Sequence, residues 1–128
     1  MTKAGVWAVV AGVLVVIVVT TLVDVVLHAV AVFPPVGQPI NDALALLATS
    51  YRTVIGIGGA WLTARLAPAN PMKHAMILGG IGTLLGLVGV VATWSLALGP
   101  RWYSVAIAVL AIPQCWVGGK IYEMRART

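Results

Sequence analysis

The chain has 128 residues, of which 61% are hydrophobic and only 9% charged. That balance excludes an ordinary soluble domain of this size, and four apolar segments account for nearly all of the sequence. The formal net charge of +5 would suggest nucleic acid in a soluble protein. Here the basic residues sit at the ends of apolar segments, where they serve as topology signals and lipid-headgroup contacts. Nucleic acid is not an expected partner. A single cysteine, Cys115, excludes an internal disulfide and most cysteine-based metal sites.

The first segment runs from about residue 4 to residue 33. Ala4 to Val23 is an uncharged run of twenty residues, enough to cross a hydrocarbon core. It is too long for the apolar region of a signal peptide. The Ala29-Val30-Ala31 triplet lies beyond Asp24 and His28, so a retained helix is expected. Its many valines are poor helix formers in water, but in lipid the unmet backbone groups enforce a helix.

Phe33-Pro34-Pro35-Val36-Gly37-Gln38-Pro39 cannot continue a helix and reads as a turn. Asn41 or Asp42 can cap a second helix over 42–66. Ala67-Pro68-Ala69-Asn70-Pro71 closes that helix, with Asn70 as N-cap and Pro71 at the first position of a third helix over 71–98. Gly99-Pro100 breaks the chain again, and a fourth helix is expected over 100–122, followed by a short polar tail. The expected fold is an all-α membrane protein: one domain, residues 1–128, forming a compact bundle of four transmembrane helices.

With four crossings, Lys3, Arg65, Lys73, Lys120, Arg125 and Arg127 share one side and Arg101 lies on the other. This places both termini in the cytoplasm. Trp7, Trp61, Trp116 and Tyr122 then mark the inner interface, and Phe33, Trp94, Trp102 and Tyr103 the outer one. The second and fourth helices end alike, Trp61 with Arg65 and Trp116 with Lys120, 55 residues apart. Duplicated hairpins would explain this, but so would the usual interfacial tryptophan and snorkelling base.

Glycines mark the packing faces. Gly56 and Gly59 on the second helix, and Gly79, Gly82, Gly86 and Gly89 on the third, follow the small-residue spacing by which helices associate in lipid. The sequence therefore predicts the closest contact between helices 2 and 3, with Thr63 joining Gly56 and Gly59.

The chemistry lies toward the outer half of helices 1 and 2. Asp24 is ten residues before Pro34, and Arg52 is ten residues after Asp42. In an antiparallel hairpin the two share one depth. A lone charge there is costly, so an Asp24–Arg52 pair is expected, with His28 one turn along on the face of Asp24. Two meanings stay open. The pair is a lock between helices, with Arg52 alternatively snorkelling outward. Or Asp24, His28 and Arg52 form a proton- or solute-binding site.

Other chemistry is poorly supported. Gly56-Ile57-Gly58-Gly59 lacks the third glycine and the strand of a dinucleotide fingerprint. His28 and His74 fall at opposite ends, so no metal or other cofactor is expected. Ser50, Ser95 and Ser104 have no histidine at a helical spacing, and no catalytic residue is assigned. Cys115 reads as a packing residue. Pro113 is expected to kink the fourth helix, and Gln114 beside it to satisfy a neighbour.

The run Gly58-Gly59-Ala60-Trp61-Leu62-Thr63-Ala64-Arg65-Leu66-Ala67-Pro68, with Pro71-Met72-Lys73-His74-Ala75 and Leu78-Gly79, resembles a family of small uncharacterised bacterial inner-membrane proteins. Leu98-Gly99-Pro100 and Trp102-Tyr103 extend the resemblance, which covers about Tyr51 to Gly119. It implies four helices and a multi-pass inner-membrane location, and it carries over no catalytic residue. The function expected from the whole chain is a non-enzymatic accessory or scaffold protein. Its partners would be the bilayer and either further copies of itself or a larger membrane complex. The alternative is a homo-oligomeric small-solute or proton-linked transporter using Asp24, His28 and Arg52.

Overall fold

The computed structural model describes residues 3–34, 40–95 and 100–126. Among them the chain forms four α-helices: α1 (Lys3–Ala29), α2 (Asp42–Leu66), α3 (Pro71–Thr93) and α4 (Arg101–Ala126). Each is long and apolar enough to cross a membrane.

The first helix ends four residues earlier than the sequence predicts. Ala31 takes a left-handed conformation (φ 61°). The Val32 N–H donates to the Leu27 carbonyl (2.9 Å) and the Ala31 N–H to that of His28 (3.2 Å). This is a Schellman ending, which satisfies the last carbonyls and turns the chain before the prolines are reached. It also folds Phe33 back into the bundle, buried against His28 with ring centroids 5.4 Å apart.

Asn41 caps α2 as expected, accepting from the Leu44 N–H (2.9 Å). Asn70 stands at the N-cap of α3 but makes no side-chain cap bond, because its backbone is left-handed (φ 49°). Past Thr93 the chain turns through Trp94 and Ser95, and the predicted end at Leu98 lies outside the described residues. Arg101 covers this helix end: its Nε donates to the Trp94 carbonyl (3.3 Å), and its guanidinium lies 4.5 Å from the Trp94 ring centroid. The fourth helix runs through Pro113 and takes in Glu123 to Ala126, which the sequence reading assigns to the tail.

The bundle is inverted relative to a soluble protein. Its buried positions are mostly small: Ala8, Ala45, Ala60, Ala64, Ala75 and Ala108, with several glycines. Large aliphatic residues face outward, Val54 at 69% and Val91 at 80% exposure. An exterior of this kind would aggregate in water and needs no explanation in lipid.

The helix contacts correct the sequence reading. The most extensive packing joins α3 to α4 and α2 to α4, whereas α2 and α3 touch less. Gly79, Gly82 and Gly86 face α4, where an added Cβ would meet Cys115, Ala111 and Ala108 respectively. The reason is that α4 offers its own small-residue ridge (Ala108, Ala111, Cys115, Gly119), on which a glycine face closes best. A Cβ added at Gly89 would meet nothing within 4 Å.

On α2, Gly56 lies under Gln114 of α4, and Gly59 faces Gly12 and Val16 of α1. At that crossing the fully buried Thr63 hydroxyl donates to the Ala8 carbonyl (3.0 Å). A parallel bond joins Thr83 to the Ala108 carbonyl across α3 and α4 (3.3 Å). Interhelical bonds of this kind contribute roughly 0.6 kcal/mol each, up to ~1.7.

Candidate functional site

The first helix packs on α2 and lightly on α3, and it does not pack on α4 among the described residues. It approaches α3 at Gly12 and Leu78, toward the Arg65 end. Toward the Asp42 end the helices part, and the polar side chains gather there.

Asp24 is the centre of the cluster. Its Oδ2 accepts from Arg52 Nη2 at 2.7 Å. Its Oδ1 accepts from the Tyr51 hydroxyl. Neighbouring residues of α2 thus grip both oxygens of one carboxylate on α1. The two charged side chains are 27% and 32% exposed, too little to be surface groups and enough to border open space. Arg52 also lies against the Tyr51 ring, 5.9 Å from its centroid.

His28 shares the site but not the carboxylate. Its Nδ1 lies 2.7 Å from the backbone carbonyl of Asp24, one turn back on α1. A carbonyl only accepts, so Nδ1 carries the proton in this arrangement. The ring is held by the α1 backbone and Phe33, and it does not bridge Asp24 to Arg52.

Tyr103, near the start of α4, completes the cluster by facing Arg52. Sequence reasoning missed both tyrosines. Tyr51 had a usable signal, since the residue beside a paired arginine reaches the same partner when that partner sits over the helix face. Tyr103 had none, because its helix pairing was unknown. At this end the Trp102 indole also donates to Asp42 Oδ1 (2.9 Å), fixing α4 level with the start of α2.

Two spaces meet at Arg52 and Tyr103. A pocket of about 110 Å³ holds Asp24, His28, Phe33 and Tyr51 on its wall. A larger cleft of about 490 Å³ opens on the other side, between Val16 and Thr20 of α1 and the glycines of α3, with Ser104 to Gln114 of α4 behind. Gln114 turns its amide toward Thr53 at a long 3.5 Å and covers Gly56.

No group of three or more histidine, cysteine or carboxylate side chains able to hold a metal occurs among the described residues. The arrangement offers a neutralised ion pair with two phenols, which can lock helices, shift a proton or receive a polar group. Comparison with protein-family models, with curated proteins and with solved structures gives no match to this chain.

Proposed function

We propose that the chain is a non-enzymatic, multi-pass protein of a bacterial inner membrane with both termini in the cytoplasm. In this reading it serves as an accessory or scaffold subunit that assembles with itself or with a larger membrane complex. Kinship with small bacterial inner-membrane proteins, drawn from the Ala64-Arg65-Leu66-Ala67-Pro68 and Pro71-Met72-Lys73-His74 pattern, belongs to the same proposal.

The observation that carries it is a division among the glycines. Most are consumed by contacts inside the bundle, but Gly58 and Gly80 are exposed, and a Cβ at either would meet nothing within 4 Å. Exposed glycine inside a spanning helix lets another backbone come close, and it has no packing role within the chain. Gly58 stands eight residues before the end of α2 and Gly80 nine residues after the start of α3. Both therefore sit roughly 12–14 Å from the Arg65 end.

Gly58→Leu and Gly80→Leu are expected to leave the fold intact and to weaken association. Native mass spectrometry of protein released from bilayers reads the assembly directly. A stoichiometric oligomer or complex that loses subunits in these variants supports the proposal. A strictly monomeric wild type, or an assembly indifferent to both substitutions, overturns it.

One observation favours transport as a second reading: Arg52 and Tyr103 stand between the Asp24 pocket and the larger cleft. Flux of protons or a small solute through purified protein in liposomes, lost in Asp24→Asn, would select it.

A further inference from the structure

We infer that the cleft of about 490 Å³ between α1 and the α3–α4 pair is a binding site for an uncharged amphiphile, a hydrocarbon chain ending in a hydrogen-bond acceptor such as an ester carbonyl. The inference goes beyond the assembly role and does not depend on it. The volume falls within the range of ligand pockets, about 300–1,000 Å³, and the wall is mostly apolar, with Arg52, Tyr103 and Ser104 toward one end and Thr20 and Gln114 further along.

Shape and lining suit a flexible hydrocarbon chain. The α4 wall from Ser104 to Gln114 is about 15 Å long at 1.5 Å rise per residue, and a chain laid along it meets mostly apolar side chains. The side chains agree, because Gly82, Gly86 and Gly89 keep one wall flat. Leu85, 56% exposed, stands at the edge where α1 and α3 part, so the cleft opens sideways. A chain can enter there from a bilayer.

Charge decides the headgroup. The donors lining the cleft near the Asp42 end are Ser104, Tyr103 and Arg52. Tyr103 and Ser104 lie in the first turn of α4, so a polar head bound there leaves its chain to run down the groove. The guanidinium is already neutralised by Asp24 at 2.7 Å. An anionic headgroup would leave a net negative charge in a low-dielectric space, whereas a neutral acceptor takes the donors without that cost. Gln114 at the far end is turned to Thr53 and Gly56, so it does not demand a polar tail.

The test uses full-length protein in lipid nanodiscs and a monoacylglycerol carrying a diazirine in its chain. Photolysis and peptide mapping are expected to place saturable labelling on Val16, Leu85 and Ile107, competed by unlabelled monoacylglycerol. Gly89→Leu fills the cleft from a position where a new Cβ meets nothing within 4 Å. Labelling there should fall about tenfold, a typical penalty for steric change in an apolar pocket, with melting temperature unchanged. Ile107→Trp fills the opposite wall and serves if the first variant misfolds. A diacyl phosphatidylcholine probe separates the sources. Cleft labelling by it assigns the occupant to the bilayer, and labelling by the monoacyl probe alone assigns it to a free single-chain amphiphile. Labelling that does not saturate, spreads evenly over the exterior, or persists in both variants overturns the site. Equal labelling by the matching fatty carboxylate overturns the neutral headgroup.

Discussion

Asp24→Asn or Arg52→Gln alone is expected to destabilise the bundle by about 3–5 kcal/mol, because each leaves one charge without its partner in a low-dielectric setting. The 2.7 Å contact and the 27% and 32% exposure place the pair between a surface bridge, which would contribute little, and a fully buried one. An effect near the lower end of the range is therefore expected. Removing both charges, as in Asp24→Leu with Arg52→Met, should recover much of the loss. Recovery should not be complete, because the Tyr51 hydroxyl also loses its acceptor. That orphaned donor costs about 1–3 kcal/mol, and adding Tyr51→Phe should return it. Unfolding in bicelles measures the series. Single losses that simply add in the double variant would contradict a direct pair.

Gly118→Leu is expected to be as damaging, for a steric reason. A Cβ there falls on the Ile57 carbonyl oxygen and comes within 2.7 Å of the Ala60 Cβ and 2.9 Å of the Trp61 nitrogen. Two of these three atoms are backbone, so no side-chain rotation relieves the overlap and α2 must part from α4. Overpacking ordinarily costs about 1–3 kcal/mol, and a backbone clash lies at or above the top of that range. Gly82→Leu is the contrast. Its Cβ meets only the Ala111 Cβ, at 3.1 Å, and the rest of the side chain can extend into the cleft. The loss there should be well under that of Gly118→Leu. Thermal unfolding in detergent reads both, and an unchanged melting temperature for Gly118→Leu would mean that α2 and α4 do not meet there.

The helices were legible because hydropathy and proline–glycine breaks act locally. The α2 start at Asp42 and end at Leu66 agree with the sequence reading for that reason. The end of α1 was not legible, since a left-handed Ala31 has no glycine to announce it. The Asp24–Arg52 pair could be found by counting outward from a turn, because a hairpin fixes depth. Which helices close on which could not. Gly79, Gly82 and Gly86 pack on α4 and not on α2, the neighbour that sequence order favoured, and a Cβ at Gly89 would meet no helix at all. The missed signal was present: Ala108, Ala111, Cys115 and Gly119 recur at three- and four-residue steps on α4. Tyr103 and the cleft follow from that pairing and were hidden with it.

Reactivity of single cysteines in whole bacteria tests the four-span arrangement with cytoplasmic termini most directly. Cys115 is buried and is first replaced by alanine. Ala69→Cys, Ser95→Cys and Ala126→Cys then place one thiol each at exposed positions between α2 and α3, just beyond α3, and at the end of α4. With a membrane-impermeant maleimide, Ser95→Cys should label in intact spheroplasts, and the other two only after permeabilisation. Labelling of Ala69→Cys or Ala126→Cys from outside, or protection of Ser95→Cys, would contradict the arrangement.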